Sequence, residues 1–169
     1  MYKPCLILAM AAGLALAQPA NFGEVEKDHL YRSGQPTAAD LLWLAGQGFS
    51  TVVDLRKDQS VRGEELMVHQ VKLEFISLPV AGLAELSHDQ IQQLRNIVAS
   101  RRKILLHCQY GKDRTSMAVA VIRIDEGWTN QMAMAEAKFY GIHWLAWPAR
   151  HFIRHFHPPH GVQLHAQYQ

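Results

Sequence analysis

Leu106-His107-Cys108-Gln109-Tyr110-Gly111-Lys112-Asp113-Arg114-Thr115-Ser116 is the stretch on which the reading of this chain turns. Before it, Lys103-Ile104-Leu105-Leu106-His107 is a continuous apolar run of strand length, the pattern of a central strand covered on both faces. After it, Met117 to Ile124 reads as a helix that ends at Gly127. A loop that joins a strand to a helix suits an anion. Its backbone N–H groups and those of the first helical turn have no intrahelical acceptors, and the helix dipole adds partial positive charge. Gly111 permits the loop to curl with its amides inward, and Arg114 at the helix start can grip two phosphate oxygens at once.

The same setting acidifies a thiol. A cysteine at a helix N-terminus beside Arg and His can fall from about 8.5 into the range of about 3.5 to 7.5. Cys108 is therefore expected to attack phosphorus as a thiolate, forming a phosphocysteine as the ester oxygen leaves. Thr115 can donate a hydrogen bond to the sulfur and help it depart when water hydrolyses the intermediate.

Working outward, strands and helices alternate. His29 to Gly34 reads as a short strand ending in a turn, and Thr37 with Asp40 as the cap of a helix carrying Leu41, Leu42 and Leu44 and stopping near Gly46 or Gly48. Thr51 to Leu55 is a β-branched strand, Glu64 to Val71 a weaker helix, and Phe75 to Leu78 another strand closed by Pro79. Ser87 with Gln90 resembles a second capping box, followed by Ile91, Leu94, Ile97 and Val98 at helical spacing. Thr129 caps a helix to about Tyr140, and a last helix falls between Trp144 and His157, ended by Pro158-Pro159. This order predicts a single α/β domain with a short, mostly parallel central sheet flanked by helices.

The 169 residues are enough for one compact core, with 49% hydrophobic and 19% charged residues. A formal charge of +2, from 17 Lys and Arg against 15 Asp and Glu, is too small to point to nucleic-acid or membrane-surface binding, and no nucleic-acid partner is expected. Any preference for anions must be local. At the N-terminus, Met1-Tyr2-Lys3, an apolar run from Cys5 to Ala17 and the closing Ala15-Leu16-Ala17 have the order of a signal peptide, too short for a stable membrane span. The expected division is a leader over 1–17, a folded domain over 18–157 and a flexible tail over 158–169, with export to the periplasm or medium. Cleavage would remove Cys5, leaving Cys108 as a lone thiol that calls for a reason.

His-Cys, five residues and then Arg-Thr on a β-loop-α junction resembles the signature of the protein tyrosine and dual-specificity phosphatase superfamily. The Leu30-Tyr31-Arg32-Ser33-Gly34-Gln35-Pro36 segment, the Val52-Val53-Asp54-Leu55-Arg56 strand and Gly127-Trp128 are similar to bacterial dual-specificity-type phosphatases. The resemblance implies a dual-specificity phosphatase-like fold, with Cys108 as nucleophile, Arg114 as phosphate ligand, His107 as a tuner of the thiolate and Thr115 as leaving-group helper. Gln109, Tyr110, Gly111 and Lys112 complete the substrate-binding loop. Many relatives carry the general acid on a separate loop; here Pro79 to Asp89 offers Glu85 and Asp89 but no Trp-Pro-Asp. Asp113 is the better candidate, by similarity to relatives with a Lys-Asp-Arg-Thr loop, the alternative being an ion pair that orients Arg114. Ser116 stands where the family usually has glycine.

The expected substrate is a phosphorylated protein, with a phosphoinositide or inositol phosphate as the alternative, because Lys112, Arg56, Lys57, Arg62 and His88 could add positive charge at the rim. A monomer is expected, without metal or cofactor, since the assigned chemistry needs neither. His143, His151, His155, His157, His160 and His165 lack evident acidic partners in sequence, and Trp144 and Trp147 read as core or pocket edge. Two other classes remain: a silent phosphate-binding module, and a thiol-redox protein of the arsenate-reductase kind, which would usually need further cysteines.

Overall fold

The computed structural model describes residues 18–57, 61–82 and 84–158. The leader, Cys5, His160, His165 and the tail beyond Pro158 lie outside the described residues. Five strands, β1 (Gly23–Glu26), β2 (Leu30–Ser33), β3 (Thr51–Asp54), β4 (Glu74–Ser77) and β5 (Ile104–His107), form one sheet in the order β1-β2-β5-β3-β4. Only β1 with β2 is antiparallel; the β2–β5, β5–β3 and β3–β4 pairs are parallel. The expected mostly parallel sheet is present, and the apolar Ile104–His107 run is its central strand. Strand β1 was not anticipated, because Gly23-Glu24-Val25-Glu26 has one buried apolar residue and pairs only along one edge.

Six helices complete the domain: α1 (Ala38–Gly46), α2 (Val61–Gln70), α3 (His88–Ala99), α4 (Asp113–Asp125), α5 (Asn130–Phe139) and α6 (Trp147–His155). Alternation along the strands sorts them into two layers. Val52 and Leu105 pack with Leu41 and Leu44 of α1 and Val68 of α2. Val53, Ile104 and Leu106 face the opposite way, into a larger core with Leu94, Met117, Val121, Ala133 and Ile153 from α3 to α6. Buried residues run all round α4 from Thr115 to Ile122, so this helix has no solvent face along that length.

Thr37 with Asp40 and Ser87 with Gln90 form the expected capping boxes of α1 and α3. Among the described residues no helix is long and apolar enough to cross a membrane. Helix α6 buries Phe152 and Ile153, whereas Leu145, Trp144 and Trp147 are largely exposed. Of the two expectations for these tryptophans, core or pocket edge, the first is therefore corrected. They lie at the turn into α6, where the ring of Trp144 stacks on His143 and that of Trp147 on His151.

Candidate active site

The registers of β2, β5 and β3 put Ser33, His107 and Asp54 in one row at the carboxyl ends of three adjacent parallel strands. Open α/β sheets place ligands beyond that edge. Cys108 follows directly and is a buried free thiol. The loop then runs through Gln109, Tyr110, Gly111 and Lys112 into α4, which begins at Asp113, four residues before the expected start.

The loop's backbone is fixed from outside. His107 O accepts from Leu55 N at 2.9 Å and Gln109 O from Gln35 N at 3.2 Å. Gly111 O accepts from Arg32 Nη2 at 2.8 Å and Asn21 Nδ2 at 3.0 Å. In a planar trans peptide the next N–H points opposite to the carbonyl, so pinning the oxygens of Gln109 and Gly111 turns the N–H groups of Tyr110 and Lys112 away from these partners. The first amides of α4, those of Asp113, Arg114 and Thr115, precede the first intrahelical bond, from Ser116 N to Lys112 O at 3.0 Å. Among the described residues none of these five N–H groups has a protein acceptor. Lys112, the residue before the helix, supplies no side-chain cap.

Gly111 has φ +68°. A Cβ there would lie 2.5 Å from Ser33 C and 2.6 Å from Gly34 N, so the turn after β2 presses against the loop and only glycine fits. Arg32 is the buried strut between the two. Besides Gly111 O its Nη2 donates to Ser116 Oγ at 2.9 Å, and its guanidinium lies 3.7 Å from the Tyr140 ring centroid. Burial, its largest influence, lowers Arg32 to about 10. It remains a cation at neutral pH. Ser116 thus has a specific task here: its hydroxyl accepts from Arg32 in a buried site, which a glycine could not do.

Arg114 is half-buried, and among the described residues its guanidinium has no ion pair or hydrogen bond to the protein. Thr115 Oγ1 is fully buried without a hydrogen-bond partner. Both are donors held in place and left for a ligand. Asp113 makes no ion pair with Arg114; its Oδ1 accepts from His143 N at 2.6 Å, tying the loop to the segment before α6. Asp89, the other candidate acid, is exposed in the first turn of α3. Tyr110 and Lys112 are exposed at the loop surface, and Lys112 runs along Gly141.

His107 is fully buried with Asp54, Arg56 and Glu64 beneath the loop. Arg56 is therefore not a rim residue, as the basic-rim expectation had it; its guanidinium binds Asp54 Oδ2 at 2.7 Å and Glu64 Oε2 at 2.5 Å. Lys57, Arg62 and His88 are exposed. Asp54, Glu64 and His107 converge closely enough to hold a cation, and the guanidinium of Arg56 is the cation the carboxylates hold. At the C-terminal end His151 pairs with Glu85 at 3.2 Å, an acidic neighbour 66 residues away that linear inspection missed. The buried partners Arg32, Asp54 and Glu64 were likewise not assigned to the site. Charged residues at the ends of apolar strands were the available signal.

Relatives at the sequence level include the dual specificity protein phosphatase TpbA of Pseudomonas aeruginosa, 30% identical over 115 residues that cover 66% of this chain and 51% of TpbA. A rice protein named "Probable NAD kinase 2, chloroplastic" is 33% identical over 118 residues, 60% of this chain and 12% of that protein. The chain thus spans about half the length of TpbA and a small part of the kinase. Among solved structures, TpbA superposes with a TM-score of 0.68 at 26% identity, covering 80% of this chain and 84% of that one. The catalytic core of the PP-IP phosphatase Siw14 from S. cerevisiae, in complex with citrate, gives 0.72 at 20% identity, covering 83% and 88%. The loop with its buried cysteine, and these likenesses, agree with the match of residues 17–154 to one family model, and the chain belongs to that family, DSP-PTPase phosphatase fused to NAD+ kinase.

Proposed function

We propose that this chain is a cysteine-dependent phosphatase that hydrolyses phosphate monoesters on proteins, phosphotyrosine foremost, through a phosphocysteine intermediate. The observation that carries this reading is the pairing of a buried Cys108 with five backbone N–H groups and an Arg114 guanidinium at the start of α4 that have no partner among the described residues. Such donors stabilise the charge on the equatorial phosphoryl oxygens as it is transferred. Cys108 Sγ attacks phosphorus, the S–P bond forms and the P–O ester bond breaks. Asp113 protonates the departing oxygen: with Oδ1 engaged by His143 N–H, the proton resides on Oδ2. Water then attacks phosphorus and gives a proton to the Asp113 carboxylate, the S–P bond breaks to release inorganic phosphate, and the buried Thr115 hydroxyl donates to the leaving sulfur.

TpbA has been crystallised in complex with pTyr, at 26% identity to this chain and a TM-score of 0.68, and exposed Tyr110 beside the loop offers an aromatic flank to such an ester. An inositol phosphate is the second reading, favoured by exposed Lys112 in the loop and by 26% identity over 123 residues to the rice "Inositol diphosphatase DSP2". Phosphotyrosine peptide, phosphothreonine peptide, phosphoinositide and inositol polyphosphate, offered to the purified chain under reducing conditions, separate these readings. We expect phosphotyrosine to be turned over fastest and Cys108→Ser to abolish turnover; no hydrolysis of any ester sinks the phosphatase reading. The apolar run before Ala17 supports export, which N-terminal sequencing of cell-derived protein tests.

A further inference from the structure

Directly beneath the nucleophile loop sits a group of charges that the proposed reaction does not touch. Asp54 ends β3, Arg56 follows two residues later, Glu64 lies in the first turn of α2 and His107 ends β5; none is more than 1% exposed. Arg56 Nε lies 3.0 and 3.1 Å from the two oxygens of Asp54, and its Nη2 bridges Asp54 Oδ2 and Glu64 Oε2. Among the described residues that places two carboxylates against one guanidinium, an excess of negative charge in a fully buried cluster. Such a charge is costly unless a further partner balances it.

His107 is the remaining titratable group in the cluster, and both of its ring nitrogens face acceptors. Nε2 lies 2.8 Å from Glu64 Oε1, off the line of a hydrogen bond, and 3.9 Å from Asp54 Oδ1. Nδ1 lies 3.3 Å from the carbonyl oxygen of Cys108, which can only accept. A neutral imidazole would turn a lone pair on one of these oxygens, whereas an imidazolium donates from Nδ1 to Cys108 O and sets its positive charge against Glu64 through Nε2, closing the charge balance. The other charges around Cys108 are Arg32 from β2, which reaches Gly111 O, and Asp113 and Arg114 within the loop; Arg32 and Arg114 add to the positive field at the sulfur.

We propose that Glu64 is a positioning residue for the nucleophile: together with Asp54 it holds His107 as an imidazolium under Cys108, and the thiolate draws its stability from that held charge. The proposal rests on the reading of Cys108 as the nucleophile. It differs from a packing role for Glu64 in one measurable respect, because a charge relayed through His107 moves the pH dependence of the thiol.

The test is the rate of alkylation of Cys108 by iodoacetamide against pH, in the unaltered chain and in Glu64→Gln, Glu64→Asp, His107→Asn and the Glu64→Gln/His107→Asn double variant. The midpoint should rise by about 1 pH unit in Glu64→Gln, so that the rate at pH 6 falls about tenfold with little change at pH 9. Glu64→Asp should recover most of the shift, and the double variant should move no further than His107→Asn alone. A lower melting temperature with an unmoved midpoint overturns the proposal. So does a double variant in which the two shifts add. Should Glu64→Gln not fold, the ¹⁵N shifts of the His107 ring in the unaltered chain decide: two protonated nitrogens at pH 7 are expected, and a neutral ring overturns it. Alkylation requires no turnover, so a chain that alkylates as expected but hydrolyses no ester refutes the phosphatase reading and leaves this one standing.

Discussion

Among the described residues, α4 leaves the N–H groups of Asp113, Arg114 and Thr115 without protein acceptors and the Arg114 guanidinium unpaired at its first turn, while at its last turn the carbonyls of Ile122, Arg123 and Ile124 are all taken by the residues that follow. There Glu126 N donates to Ile122 O, Gly127 N to Ile124 O and Trp128 N to Arg123 O, with Gly127 in the left-handed conformation at φ +95°. Arg95 grips Asp125 through two hydrogen bonds of 2.7 and 2.8 Å. Arg123 pairs with Glu136 and Glu126 and covers the Trp128 ring. The same chain caps α1 and α3 with their own side chains. Helix α6, like α4, starts without a side-chain cap but has Pro148 in its first turn, so what sets α4 apart is the contrast between its own two ends, which marks where binding energy is kept for a ligand.

Exchanging charges at the two ends should give the largest contrast. Arg114→Lys keeps the charge and loses the fork, so turnover of an aryl phosphate should fall about 10²- to 10³-fold. Arg123→Lys should leave turnover within about twofold. Comparable losses from both would erase the distinction.

The two glycines provide the next contrast. Gly111→Ala must displace the Ser33–Gly34 backbone as well as hold a positive φ, and should cost about 2 kcal/mol or more together with most of the affinity for vanadate. Gly127→Ala meets open space and should cost about 1 kcal/mol in a denaturant titration, with vanadate affinity unchanged. Smaller again, Ser116→Ala removes a buried acceptor from Arg32 and should destabilise by about 1 to 2 kcal/mol. An unchanged melting temperature would show that Arg32 is held by Gly111 and Tyr140 alone.

At the closed end a pH effect on stability should appear. Burial, and then the neighbouring carboxyl of Glu26, raise Glu126 from about 4.5 to about 7. The folded chain thus binds more protons than the unfolded chain across that window, and Glu126 makes stability fall as pH rises through it. Glu126→Gln should flatten this part of the melting-temperature profile between pH 5 and 7; an equal slope in both chains would assign the effect elsewhere.

Much of this was legible along the chain because the signals are local. A strand covered on both faces reads as the unbroken apolar run Ile104–Leu106, and the capping boxes at Thr37 and Ser87 follow from side chains three residues apart. The core reading of Trp144 and Trp147 misled, since large aromatic residues are commonly buried and nothing nearby in sequence shows that these face solvent. Arg56 misled in the opposite direction. An arginine after a strand is ordinarily solvated, and its burial became apparent only once Asp54 and Glu64 were found around it.

The sequence by itself determined the alternation of strands and helices, the loop at the centre of the chemistry and the residues from Cys108 to Thr115 that face the phosphate in the proposed reaction. Periodicity, capping and the spacing of a motif are properties of neighbouring residues, so they survive without coordinates. Tertiary structure alone decided what holds that loop: Arg32 and Asn21 on its carbonyls, Ser116 on Arg32, and the Asp54, Arg56 and Glu64 cluster under His107. Those contacts join β2, β3, β5, α2 and α4. They arise where parallel strands bring their carboxyl ends together, and a buried charge can be interpreted only when all of its partners are in view.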